Sequence, residues 1–379
     1  MKRALKNLDK PLLITMIIFF AFGVVMVLSA SSMESYMRYG NSPYVYFYKQ
    51  LIFVIAGFIL FFFLILFPTK TYKKIANMLI FLIIAMLIGL TIYGSVANNA
   101  QSWFNLGPIS IQPSEFAKVF IIIYLAVYYD KNKENLNNQW PLIKPLLVCA
   151  LIASLIIIQP DLGTAGIVIL LTLLMFYALP ISRVYRSSFT KILIGGIAVV
   201  AIILVATGGS ILKDYQLQRF NFIDPCERYK EESGYQLCNS FIAFTNGGLT
   251  GKGIGGSTQK YLYLPESYTD FIYPIIVEEW GLILGIVILA AYVFVLYRIF
   301  NIARRATNLK NSLLAYGVFI YILLHITINL SGVMGLLPLT GVPLPFLSYG
   351  GSYTISLFIA LAIVERVAIE NNLAKMKKN

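Results

Sequence analysis

Only 12% of the 379 residues are charged, so each acidic or basic side chain can be weighed individually for chemistry. The stretch Tyr263-Leu264-Pro265-Glu266-Ser267-Tyr268-Thr269-Asp270-Phe271 closes the one long polar segment and sets a carboxylate at the mouth of an apolar run. An ionised Asp270 there can take a proton from an attacking hydroxyl. Equally, Thr269 or Asp270 can N-cap the helix that follows, with Pro274 in its permissive first turns. In Gln112-Pro113-Ser114-Glu115-Phe116-Ala117-Lys118, Pro113 suits a first helical turn. Glu115 and Lys118 then stand at i and i+3 on one face, either as a self-satisfied ion pair or as the polar wall of an internal cavity. Asp161, in Gln159-Pro160-Asp161-Leu162-Gly163-Thr164, is placed to cap the next helix. Of Glu278 and Glu279, at least one must face protein or water. His325 is the only histidine; it cannot build a metal site alone, and no nucleophile motif accompanies it, which sets triad hydrolysis aside.

The elements that position these groups are membrane helices. Hydrophobic residues make up 58% of the chain and the mean hydropathy is +0.76, against about 25% charged residues expected of a soluble protein. The apolar runs approach the ~20 residues that cross a bilayer. Ten spans are expected, at 11–31, 47–67, 75–97, 113–129, 142–158, 162–180, 191–208, 271–297, 312–332 and 353–369. The first is too long for a signal-peptide core and is read as a retained helix. With the N-terminus inside, most Lys and Arg fall on the cytoplasmic side. Only Arg38 and Lys49 in the first outer loop, and six in the long one, fall outside. This bias places both termini in the cytoplasm, and it explains the net charge of +13 as topology, with no nucleic-acid partner. The expected fold is an all-α polytopic membrane protein, one domain over 1–379, with a large extracytoplasmic loop at about 209–270 between spans 7 and 8.

That outer segment is expected to be the one outer region large enough for structure of its own. Gln236 to Phe244 suits a short amphipathic helix at the interface. Cys226 and Cys238 share the segment and can either pair or stay reduced, and no spacing resembles a zinc site. Gly247-Gly248-Leu249-Thr250-Gly251-Lys252-Gly253-Ile254-Gly255-Gly256 lacks the Ser or Thr after its lysine and the preceding strand that a nucleotide loop needs. Its glycines suit close backbone approach to a surface or ligand. In the last outer loop, from Pro338 to Ser352, prolines and glycines forbid a continuous helix. Broken backbone at membrane depth must be wrapped in protein or line a wet cavity, so this loop is expected beside Asp270.

Three blocks coincide with one family. Ala100-Gln101-Ser102-Trp103-Phe104 with Gln112-Pro113-Ser114-Glu115, then Leu264 to Phe271, then Pro343-Leu344-Pro345-Phe346-Leu347-Ser348-Tyr349-Gly350-Gly351-Ser352 resemble the SEDS proteins of shape, elongation, division and sporulation. The stretch from Asn98 to Phe104 and the segment Met26-Val27-Leu28-Ser29-Ala30-Ser31 look more like the FtsW branch than RodA. The resemblance implies a peptidoglycan glycosyltransferase that polymerises lipid II on the outer face of the bacterial cytoplasmic membrane. It implies a class B penicillin-binding protein as partner, beside other divisome or elongasome membrane proteins. Asp270 is then the catalytic residue, and Glu115 and Lys118 line the cavity, with Gln112 and Ser348 as further substrate-binding positions. Tyr268 departs from the family, which commonly has His there. The chemistry agrees: a sugar hydroxyl attacks an anomeric carbon, and undecaprenyl pyrophosphate leaves with growing negative charge. Lys118, Arg219 or Lys260 would offset that charge, with Lys260 favoured for its nearness to Asp270, or a divalent cation (Mg or Mn, ligands open) would do so. A lipid II flippase and a non-catalytic divisome scaffold are the rival readings, and an elongation or sporulation role rivals division. A flippase would survive loss of one outer carboxylate but fail when the polar wall is altered. A scaffold would tolerate both changes.

Overall fold

The computed structural model describes residues 5–40, 42–97, 100–107, 109–206 and 223–377. Its α-helices are α1 (Lys10–Arg38), α2 (Val45–Leu64), α3 (Tyr72–Tyr93), α4 (Pro113–Lys131), α5 (Gln139–Ile158), α6 (Leu162–Tyr177), α7 (Arg183–Ala206), α8 (Glu232–Gly247), α9 (Ile272–Arg304), α10 (Leu309–Val333) and α11 (Gly351–Met376). Each expected span meets a helix of its own. The remaining helix, α8, is the amphipathic helix of the outer segment, extended beyond Gln236–Phe244 at both ends. By length and composition, seven helices among the described residues can cross a membrane: α1, α2, α3 with its leading turn, α5, α9, α10 and α11.

Helix α4 falls outside that group for a physical reason. It carries Glu115 and Lys118, yet nearly all its residues from Pro113 to Tyr129 are buried. It packs against α3, α5, α6, α10 and α11, so its charges face protein instead of lipid, where each would cost about 2.5–3.5 kcal/mol. Helix α11 lies along α2, and α10 along both α9 and α4. The starts of α4, α6, α9 and α11 and the end of α10 are thereby gathered around one spot.

Two features depart from the sequence reading. The long outer segment is not alone in having structure: β1 (Ser95–Ala97), β2 (Ala100–Leu106) and β3 (Ile109–Ile111) form an antiparallel meander. Ser95 stands opposite Trp103, and Phe104 opposite Ile111. The alternation from Ala100 to Leu106, a Gly-Pro pair and then Ile109-Ser110-Ile111 is a hairpin signal, hidden here inside a generally apolar chain. The meander delivers the chain into α4. Gln112 N donates to Ser352 Oγ (2.9 Å), and Ser352 Oγ donates to Ser110 O (3.3 Å), which ties β3 to the start of α11.

The second departure is a break in α9 at Gly281 (φ 83°, ψ 168°). The glycine-rich segment after α8 fills it. Lys252 N and Gly253 N donate to Glu278 O (3.0 Å) and Glu279 O (2.9 Å), while Leu282 N and Ile283 N donate to Gly248 O (2.9 Å) and Leu249 O (3.2 Å). Backbone groups freed by the break are thus satisfied inside the protein, as membrane depth demands. A Cβ on Gly281 would collide with Leu249 O, and one on Gly251 with Glu279 O. The close approach expected of these glycines is made to the chain's own helix.

Candidate active site

Asp270 lies half-buried two residues before α9. The N-cap of α9 is Phe271, which makes no side-chain capping bond, and the Thr269 hydroxyl donates to Glu266 Oε2 (2.6 Å). The N-cap position open to Thr269 or Asp270 therefore goes to neither. Instead, three consecutive carbonyls are held from outside the loop. Tyr349 N donates to Tyr268 O (2.9 Å), Ser348 Oγ to Thr269 O (2.6 Å), and Asn329 Nδ2 to Asp270 O (2.7 Å). Tyr268 also packs against Tyr46 and Tyr349, its ring centroid 4.6 and 5.6 Å from theirs. Glu266 and Phe346 both adopt positive φ (53° and 69°), a conformation that costs roughly 1–3 kcal/mol and persists where surroundings over-determine it.

The loop from Leu336 to Gly350 runs beside Asp270, as the broken-backbone argument requires. Four of its consecutive residues, Thr340 to Pro343, each meet a different neighbour. Thr340 packs on Gly163 at the start of α6. Gly341 (φ 68°) has no side chain where a Cβ would stand 3.3 Å from Asp270 Oδ2. Val342 O accepts from Asn329 Nδ2 (2.8 Å), and Pro343 O pairs with His325 Nδ1 (3.1 Å).

The pair of Glu115 and Lys118 is real and dry. Lys118 Nζ is 2.8 Å from Glu115 Oε1, with the side chains only 1% and 4% exposed. Lys118 Nζ also lies 3.0 Å from His325 Nε2. Because His325 Nδ1 faces a carbonyl, it carries the proton, and Nε2 accepts from the ammonium. His325 is thus not isolated packing; it joins the polar wall to the loop beside Asp270. Glu115 Oε2 has no hydrogen-bond partner among the described residues, which leaves one acceptor available in that wall. Gln112 reaches it from the other side: its Nε2 donates to Asp161 Oδ2 (3.2 Å). Asp161 caps α6 as expected, accepting from Thr164 N at 3.0 Å.

Lys260 occupies a different place. Its ammonium contacts Glu279 Oε1 (2.8 Å), Gly255 O (2.8 Å) and Ser29 Oγ (3.0 Å), so its three donors are engaged in a buried pair that joins α1 to α9. Glu278, its neighbour, accepts from Asn246, Ser257, Thr258, Gln259 N and Lys252. Both α9 glutamates therefore face protein. Arg219 lies outside the described residues. Cys226 and Cys238 form a disulfide, which decides the alternative that the sequence left open. Cys149 is free and buried.

The structure thus brings together Asp270, Ser348, Gln112, Glu115 and Lys118 at one end of the bundle and sets Lys260 beneath the break in α9. Sequence reasoning missed Asn329, whose signal is a polar residue inside an apolar span. Among the described residues, no three of His, Cys, Asp and Glu converge to hold a metal ion, so the protein presents no closed metal site there.

A helical, multi-pass membrane protein with an acid at the edge of a buried polar wall is the class these observations define. The cell cycle protein family of FtsW, RodA and SpoVE matches residues 9–373, and the chain belongs to that family. A probable peptidoglycan glycosyltransferase FtsW from Bacillus subtilis (strain 168) is 37% identical over 387 residues, covering 100% of this chain and 94% of the relative. The protein of that name from Wigglesworthia glossinidia brevipalpis is 36% identical, covering 97% and 95%. Among solved structures, a peptidoglycan synthase complex described as coordinating polymerization and crosslinking contains a chain with a TM-score of 0.74 at 24% identity, covering 96% of this chain and 98% of that one. The rod shape determining protein RodA of Thermus thermophilus has a TM-score of 0.66 at 23% identity, covering 95% and 96%. Both share the fold.

Proposed function

We propose that the protein is a peptidoglycan glycosyltransferase of septal wall synthesis, polymerising lipid II on the outer face of the cytoplasmic membrane. The observation that carries the reading is the setting of Asp270: its three-residue backbone segment is clamped, and its carboxylate borders a loop with no side chain at Gly341. A fixed carboxylate at this spot removes the proton from the attacking sugar hydroxyl. The hydroxyl oxygen bonds to the anomeric carbon of the donor sugar, and the bond from that carbon to the diphosphate breaks. The diphosphate oxygen takes the electron pair. Proton transfer of this kind contributes about 10²–10⁴-fold.

The wall of Gln112, Glu115, Lys118 and His325 supplies donors and a remaining acceptor on the same side of the bundle, suited to the polar part of the substrate. With Lys260 paired to Glu279, the leaving group's charge falls to Lys118, to Arg219 or to a divalent cation. Such a cation would be carried mainly by the substrate diphosphate, since Mg²⁺ binds through one or two carboxylates plus phosphates, and it would neutralise charge on the leaving oxygen. On a topology of ten crossings with both ends cytoplasmic, a reading favoured by the helix found on each apolar run, Asp270 lies on the outer side. A class B penicillin-binding protein is the partner that would crosslink the product, a pairing favoured by the synthase complex that shares the fold.

The test is polymerisation of purified lipid II by the chain with its penicillin-binding partner, comparing wild type with Asp270→Asn. Product should vanish while the complex still assembles. Equal product from both would remove Asp270 from the chemistry, and no product from either would favour a flippase or scaffold.

A further inference from the structure

Asp270 is held in place by a residue that lies far from it in sequence and inside an apolar helix. Asn329 sits on α10, 4% exposed, and its Nδ2 donates to two carbonyls of two different loops, Asp270 O (2.7 Å) and Val342 O (2.8 Å). Ser348, 2% exposed, makes a second tie. Its Oγ donates to Thr269 O (2.6 Å) and accepts from Leu344 N (2.8 Å). Each side chain therefore joins the loop that ends at Asp270 to the loop that borders the Asp270 carboxylate. Neither loop has regular secondary structure to hold it, and one carries the strained Glu266, the other the strained Phe346. Without these cross-ties, the two backbones that bracket the carboxylate would be fixed chiefly by the Tyr349 N to Tyr268 O bond.

We propose that Asn329 is a positioning residue for Asp270, acting together with Ser348, so that the two side chains clamp the carboxylate against the loop at Gly341. The proposal rests on the reading of Asp270 as the base. It also gives Ser348 a role through Thr269 O in place of direct contact with substrate. A polar side chain buried in a membrane helix is expensive unless its bonds are used, and here both N–H groups of the Asn329 amide are used on these two loops. A shift of about 1 Å at a reacting group can lower a rate 10²-fold, so the clamp should act on turnover and leave substrate affinity alone.

Steady-state polymerisation of lipid II by the full chain with its penicillin-binding partner tests this. The variants are Asn329→Asp, which keeps the shape and can supply at most one O–H in place of the two N–H donors, together with Ser348→Ala and Ser348→Thr. Thermal unfolding is followed in parallel. The expected result is a kcat lowered roughly 10- to 100-fold by Asn329→Asp and Ser348→Ala, with KM little changed and substantial recovery in Ser348→Thr, which retains the hydroxyl. Should Asn329→Asp fail to fold, the Ser348 pair carries the same test. Unchanged kcat, a loss carried by KM, or a loss that simply follows a lowered unfolding temperature would overturn the proposal. An Asp270→Asn control separates the two failures: if it polymerises like wild type, the base assignment itself falls, whereas if it is inactive, only the clamp is judged.

Discussion

Asp270, just before α9, and Glu278, within its first turns, stand eight positions apart, and the protein treats them in opposite ways. Around Glu278, the donors go to the carboxylate itself: four side chains and a backbone N–H converge on its two oxygens. Around Asp270, the three donors from α10 and the last outer loop go to backbone carbonyls. A carboxylate surrounded by donors to its own oxygens is a strut, since its charge already has its counterparts. A carboxylate whose main chain is pinned is a tool, because bonds to its backbone fix where the acid stands.

Exchanging each acid for its amide should separate the two roles most sharply. Asp270→Asn is expected to lower the polymerisation rate by about 10²–10⁴-fold while thermal unfolding stays close to wild type. Glu278→Gln removes a buried charge to which five groups donate, and hydrogen bonds to a charged group contribute about 1.5–3 kcal/mol each. Its signature is a lowered unfolding temperature, with turnover per folded molecule little changed. Abolished turnover from Glu278→Gln in a fully stable protein would make Glu278 part of the chemistry and no strut.

A smaller effect is expected from the disulfide that stiffens the strut side. Cys226 and Cys238 are 12 residues apart, and closing a loop near that length stabilises by about 2–4 kcal/mol. α8 packs on α9 and donates from Ser240 Oγ to Val333 O (2.8 Å) at the end of α10. Cys226→Ser, or a reductant that reaches this disulfide, should therefore lower the unfolding temperature. The same unfolding curve with and without reductant would show that the bond adds nothing.

The smallest effect concerns Tyr268, which precedes the clamped acid by two residues. Burial, with a hydrogen bond to Tyr46 and the nearby Glu266, pushes its phenol above the ordinary value of 10.0. The folded state then keeps a proton that the unfolded chain gives up, so stability is fully present below pH ~10 and falls as pH rises beyond it. Tyr349 is shifted the same way, again chiefly by burial. Tyr268→Phe should reduce, but not erase, the alkaline slope of the unfolding temperature. An unchanged slope would mean that Tyr268 ionises as freely in the folded protein as in the unfolded chain.

Much of this was legible from residue order. Each apolar run of bilayer length proved to be a helix, seven of them able to cross a membrane by length and composition among the described residues, because a helix in lipid must satisfy its backbone internally and announces itself by length and hydropathy. The pairing of Glu115 with Lys118 and the cap at Asp161 followed from spacing along one helix. So did the closeness of the last outer loop to Asp270, since proline and glycine forbid its backbone from facing lipid. These are local constraints, or constraints set by the solvent.

What the chain order left open depended on contacts between distant segments. Nothing local says that Lys260 turns to Glu279 and Ser29, that His325 bridges Lys118 to Pro343, or that Asn329 reaches the Asp270 carbonyl 59 residues away. The break at Gly281 likewise needed its partner, the glycine-rich backbone after α8, to be seen as a designed joint. Sequence determined which stretches cross the membrane and which polar residues are too costly to be idle there. Only the tertiary structure decided which of those residues became struts and which became tools, because a buried polar group takes its role from whatever donor or acceptor the folded chain brings within 3 Å or so.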